Sequence, residues 1–255
     1  DTWYVPNNAY VIITGDVDLK GVFELAEKYY GPLEGRALPL RKPQTEPGQE
    51  GTRRVNVKAP AELPVLIMGY KAPNLRDVEK DSDPYALEML SAVLDGHDAA
   101  RFNKHLVREQ KVALSVGIDY DATARGPGMI YLHGSPAEGK TVPELEAALR
   151  SEIERVQKEG VSEQELKRAK AQLLASQVYK LDSMFGQAME IGQTESAGIP
   201  YQKIERMLEK LQKVTAAEVQ AVAKKYFNDD SLTVGVLEPQ ALDGKPRRSA
   251  VAVRH

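Results

Sequence analysis

No cysteine occurs among the 255 residues. Disulfides, thiolate metal ligands and a cysteine nucleophile are excluded together, while the redox compartment is left open. Histidine is scarce, with four residues at 97, 105, 133 and 255. A net charge of -3 sets up no broad basic field, so nucleic acid is not an expected partner. The one basic cluster, Lys245, Arg247, Arg248 and Arg254, follows Pro239, where residues 239–255 read as a poorly ordered tail. No apolar run approaches the roughly 18 residues needed to span a bilayer. The remaining composition, 42% apolar and 28% charged, is that of a globular chain able to bury a core, as one large domain or two small ones.

Strands and helices alternate with clear punctuation. Tyr10 to Ile13 reads as a buried strand, and Asp18 as the N-cap of a helix with Val22, Leu25, Ala26 and Tyr29 on one face, stopped at Gly31-Pro32. Residues 36–51, with prolines at 39, 43 and 47, form an extended surface connection. Arg53 to Lys58 and Val65 to Tyr70 are strands. Asp83-Pro84 opens a helix with Leu87, Leu90 and Leu94 in a stripe, closed by Gly96. Val112 to Tyr120 and Met129 to His133 flank Gly126-Pro127-Gly128 as a hairpin.

The second half is mostly helix. Thr141 with Glu144, Ser162 with Glu165 and Thr215 with Glu218 have the spacing of capping boxes. Leu145, Leu149, Ile153 and Val156 make one buried stripe, and Val219, Val222, Ala223 and Tyr226 another. Leu166 to Ile191, interrupted by Gly186, reads as one long helix or two packed on both sides, and Leu232 to Leu237 as a last strand before Pro239. The fold class is α+β, an antiparallel sheet covered by helices on one face.

Three stretches carry more than a propensity. The first is the opening, Trp3-Tyr4-Val5-Pro6-Asn7-Asn8-Ala9-Tyr10, running through Val11-Ile12-Ile13 to Gly15-Asp16-Val17-Asp18. Leu94-Asp95-Gly96 with Leu106-Val107-Arg108-Glu109 is the second, and Val214-Thr215-Ala216-Ala217-Glu218-Val219 the third. In these the chain resembles, over nearly its whole length, the carboxy-terminal, non-zinc half of pitrilysin/insulinase-type zinc peptidases, the family that includes the mitochondrial processing peptidase. The resemblance implies a half-domain over residues 10–238 and a remnant of the inter-half linker over 1–9. The start at Asp1, without Met, is expected to mark an excised fragment. A bacterial parent is implied, with the periplasm ahead of the cytoplasm.

The zinc motif of that family, H-x-x-E-H, sets two imidazoles one helical turn apart and a carboxylate beside the metal-bound water. None of His97, His105, His133 and His255 pairs at that spacing, and His97 and His105, eight positions apart, are too far from each other for one zinc. No metal ligand and no catalytic residue is assigned to this chain; the zinc is expected in the amino-terminal half. The resemblance implies that Arg108 reaches toward the substrate carbonyl near the metal and stabilises developing charge. A Tyr usually accompanies that Arg, but this chain has Leu114 at the position, and Tyr120 lies six residues further, roughly 20 Å along a strand.

Gly134-Ser135-Pro136-Ala137-Glu138-Gly139-Lys140-Thr141 matches G-x-x-x-x-G-K-[ST], the pattern of a phosphate-binding loop. Pro136 removes a donor from such a cradle, Glu138 adds a carboxylate to it, and the preceding strand reads as hairpin-paired. Three functions therefore stand in order. The first is the non-zinc half of a zinc metalloendopeptidase, forming the opposite wall of a chamber for extended peptides. A catalytically inactive partner or scaffold subunit comes second, and nucleotide binding through residues 134–141 third. The expected partners are a zinc-bearing half-domain and an extended peptide, and the isolated half is expected to self-associate through its uncovered surface.

Overall fold

Local caps set most of the helix starts. In the computed structural model, which describes residues 2–42 and 47–241, the Asp18 carboxylate accepts the Gly21 N–H at 2.7 Å and opens α1, Leu19–Tyr30. All three capping boxes form. Thr141 opens α3 (Val142–Glu159), Ser162 opens α4 (Glu163–Leu181) and Thr215 opens α7 (Ala216–Tyr226). In each, the carboxylate three residues on returns a bond to the cap's N–H, so two orphan donors are satisfied by two side chains. Pro84 occupies the first turn of α2, Asp83–Asp95. The remaining helices are α5 (Met184–Ser196) and α6 (Ile204–Lys213).

Five strands form one sheet: β1 (Arg53–Pro60), β2 (Val65–Lys71), β3 (Ala113–Tyr120), β4 (Met129–Pro136) and β5 (Leu232–Gln240), in the spatial order β1-β5-β2-β4-β3. The pairs β2–β4, β2–β5 and β3–β4 are antiparallel, and β1 on the edge runs parallel to β5. Strands β1 and β2, consecutive in sequence, are thus separated by β5 from the far end of the chain.

One sheet face is covered. Leu66, Met68, Ile130, Leu132 and Val234 are buried there against Leu87, Leu90 and Leu94 of α2, Leu145, Leu149 and Val156 of α3, and Val219 and Val222 of α7. On the opposite face Val55, Val57, Ile67 and Tyr131 remain exposed. This alternation is the period-two pattern of a sheet covered on one side.

Four expectations need correction. Residues 10–13 form no strand and, apart from the half-buried Ile12, are exposed: an apolar run becomes a strand only when another strand supplies the ladder, and no described strand lies beside it. The helical stretch after Leu166 breaks at Asp182-Ser183, where the Ser183 hydroxyl accepts the Gly186 N–H at 3.0 Å, so Gly186 lies inside the first turn of α5 and is not the breaker. Nor do these helices pack on both sides, because Leu174, Val178, Met184 and Phe185 are exposed. Strand β5 continues through Pro239 to Gln240, opposite Ala59 and Pro60 of the edge strand. The basic cluster at 245–254, His255 and Pro43 lie outside the described residues.

Candidate functional site

Arg108 stands on a π-helical segment, Phe102–Glu109, anchored by buried Phe102 and Leu106 and closed by an i to i−5 bond from Gln110 N–H to the His105 carbonyl, 2.8 Å. It is exposed, and among the described residues it has no ion-pair partner. The chain then reverses at Lys111, held at φ 51, and is pinned by Val112 N–H to the Leu106 carbonyl at 2.9 Å. Strand β3 begins with a bulge: Ala113 lies opposite Pro136 and Ser115 opposite Ser135, so Leu114 is the extra residue. Its side chain is 56% exposed. A bulge re-aims the residue it carries, which explains how Leu114 comes to project from the same corner of the sheet as the connection from Arg108. Tyr120 is unavailable to this corner, because its hydroxyl donates to the Pro73 carbonyl and burial raises its pKa.

The uncovered sheet face adjoins this corner and has low relief. Its rows read Val55, Gly235, Ile67, His133, Gly117 and then Arg53, Thr233, Gly69, Tyr131, Asp119. Gly117 gives the His133 ring room to lie flat, since a Cβ there would stand 2.7 Å from its Cε1. At Gly69 the same intrusion would meet Met129 Cε at 2.8 Å. Asp119 Oδ2 lies 3.0 Å from His133 Nε2. The outer edge of β3 is partly closed, because the Asp95 carboxylate accepts the Ile118 N–H; burial nevertheless raises its pKa.

His97, His105 and His133 do not converge on a metal. His97 Nδ1 accepts the Ala99 N–H at 3.0 Å, and His105 Nδ1 is 2.9 Å from the buried Glu152 carboxylate. His133 is taken up by Asp119, and among the described residues no group of three His, Asp or Glu side chains could hold an ion. The donor set therefore does not fit zinc. Residues 134–141 make no phosphate cradle either: Gly134 to Pro136 belong to β4, antiparallel to both neighbours. The Lys140 ammonium bonds to Glu144 at 3.2 Å, and Thr141 caps α3.

Two features escaped the sequence reading. The bulge at Leu114 depends on register, which no local pattern encodes. A basic cavity joins residues 97–105 to residues 165–168, brought together only by the packing of α4 beside the π-helical segment.

Architecture and donor geometry together define a class: a helix-backed α+β domain whose described side chains assemble no metal site. The chain belongs to the family described as the peptidase M16 inactive domain, whose model matches residues 1–173. It is 25% identical over 246 residues to the zinc protease PqqE of Helicobacter pylori, covering 93% of this chain and 53% of that protein. An uncharacterized zinc protease of Rickettsia bellii is 24% identical over 241 residues, with 94% and 56% covered. The chain thus spans about half the length of these curated relatives. Among solved structures, a protease from Helicobacter pylori superposes with a TM-score of 0.85 at 23% identity, over 93% of this chain and 57% of that one. The inactive peptidase domain of a Bordetella parapertussis zinc protease gives 0.62 at 17% identity, over 76% of this chain and 99% of that one. The same fold therefore occupies about half of one solved chain and nearly the whole of the other.

Proposed function

We propose that this chain is the wall of a two-half zinc endopeptidase: it completes a chamber for extended peptides, and the metal is held by the other half. The carrying observation is α1. The helix is well capped yet buries no residue; Phe23 is 67% and Leu25 55% exposed, and Tyr10, Val11 and Ile13 before it are exposed as well. An ordered amphipathic arm with its apolar side in water marks an interaction surface, and a missing half of similar size would cover it. At Gly235, where a Cβ would meet nothing nearer than the Ile67 carbonyl oxygen at 3.9 Å, the sheet face lets an extended main chain approach closely. Arg108, exposed and without an ion-pair partner among the described residues, is the group we assign to stabilise charge that develops on the substrate carbonyl.

Mixing the chain with a separately produced, H-x-x-E-H-bearing half of the same family from its parent organism tests the reading. A one-to-one complex by sedimentation, with chelator-sensitive cleavage of an unstructured peptide that neither half shows alone, is the expected result. Cleavage by this chain alone, or no association, overturns it. Leu114 favours a second reading, a catalytically silent partner, since an apolar side chain there supplies no donor. Association without cleavage selects that reading.

A further inference from the structure

A cavity of about 260 Å3 opens between the turn after α2, the π-helical segment and the first turns of α4. Its polar lining consists of His97, Arg101, Lys104, His105, Glu165 and Arg168: five bases and one acid, on a chain whose net charge is -3. The acid is already spent. Glu165 accepts Arg101 Nε at 2.7 Å, Arg101 Nη2 at 3.0 Å, and the Ser162 N–H and hydroxyl at 2.8 Å each. Lys104 and Arg168 are exposed and have no ion-pair partner among the described residues. The single carboxylate beside His105, Glu152, also bonds Arg155 at 3.2 Å.

Arg101 supplies a second, independent observation. Its side chain is nine-tenths buried and lines the cavity. Nε bonds Glu165, and Nη2 bonds both Glu165 and the Gly160 carbonyl. Nη1 is buried with no acceptor among the described residues. A buried guanidinium nitrogen without an acceptor is costly, and such exceptions call for an explanation.

We propose that this cavity binds a compact oxyanion of the phosphate class, with Arg101, Lys104 and Arg168 as its principal donors. The volume sits below the roughly 300–1,000 Å3 of pockets for drug-sized ligands, which suits a phosphoryl group better than a whole nucleotide. Cationic side chains of differing reach suit an oxyanion that accepts on several sides, and arginine favours paired contacts to it. The site shares no residue with the 134–141 loop and does not depend on the peptidase reading.

Thermal unfolding and titration calorimetry of the chain with inorganic phosphate and with pyrophosphate, against sodium chloride at matched ionic strength, test the site. A saturable rise in Tm of about 2 °C or more and a stoichiometry near one are expected. Lys104→Gln/Arg168→Gln, at exposed positions without ion-pair partners among the described residues, weakens binding by about tenfold or more, whereas Lys203→Gln/Lys224→Gln, removing the same charge elsewhere, does not. Comparing glycerol phosphate with inorganic phosphate tells an ester from the free ion, and tighter binding of either supports the site. A shift matched by chloride, or equal weakening by both double variants, overturns it.

Discussion

Arg101 and Glu165 are joined by two nearly parallel bonds of 2.7 and 3.0 Å, and the same carboxylate closes the capping box of α4. One side chain thereby fixes a helix start and ties it to the π-helical segment. Burial opposes ionisation of Glu165, but Arg101 and the Ser162 donors outweigh it and bring its pKa from 4.5 down to about 2. A carboxylate held below its unfolded value contributes stability above pH 4.5 and loses it as the pH falls toward 2. With the side chain 25% exposed, solvent screening leaves a contribution of about 2 kcal/mol. Glu165→Gln is expected to lower stability at pH 7 by that amount and to flatten the acid limb of the curve between pH 4.5 and 2. Parallel curves for parent and variant in denaturant titrations across that range would discard the assignment.

Lys111 carries a left-handed backbone, φ 51, in the connection from Arg108 to the bulge. A side chain in that region costs about 1–2 kcal/mol that glycine does not incur, offset in part by the greater freedom of glycine in the unfolded chain. Lys111→Gly should therefore raise stability by about 0.5–1 kcal/mol, and Lys111→Ala should leave it unchanged. A lower unfolding midpoint for the glycine variant would show that the lysine side chain makes a compensating contact.

The parts of this fold legible in the sequence are those decided within a few residues. Thr141, Ser162 and Thr215 mark helix starts because cap and carboxylate lie three residues apart, and Leu145, Leu149, Ile153 and Val156 name their own buried face. What depends on distant partners was not legible. The apolar run at 10–13 looks the same whether or not a strand lies beside it, and β1 gives no sign that its neighbour is β5, some 180 residues away. Of the site, Arg108 could be picked out through its motif. The Leu114 bulge and the cavity at Arg101 are consequences of register and helix packing, which no single stretch of sequence carries.

The uncovered arm makes a prediction that separates folding from association. Phe23 and Leu25 are exposed and contribute little to the core, so Phe23→Ser/Leu25→Ser should change unfolding free energy by less than about 0.5 kcal/mol. The same surface in water favours self-association of the chain at high concentration. Sedimentation velocity over a concentration series is expected to show reversible oligomers for the parent and monomer for the variant. Identical profiles would remove α1 from the interaction surface and with it the main support for the two-half assembly.

Arg108 offers the sharpest division between structure and function, because the two roles predict opposite readouts. Exposed and unpaired among the described residues, it adds little to stability, and Arg108→Gln should leave the unfolding free energy within about 0.5 kcal/mol of the parent. If the guanidinium stabilises charge that develops on the substrate, the same change in the assembled two-half enzyme lowers kcat by about tenfold or more, since preorganised donors of this kind account for factors of about 10²–10³ elsewhere. Because that interaction is made in the transition state, KM should move little. A variant with kcat intact and KM raised would make Arg108 a binding contact; one with both unchanged would make it a solvated surface charge and leave the sheet face alone to carry the proposed contact with a peptide.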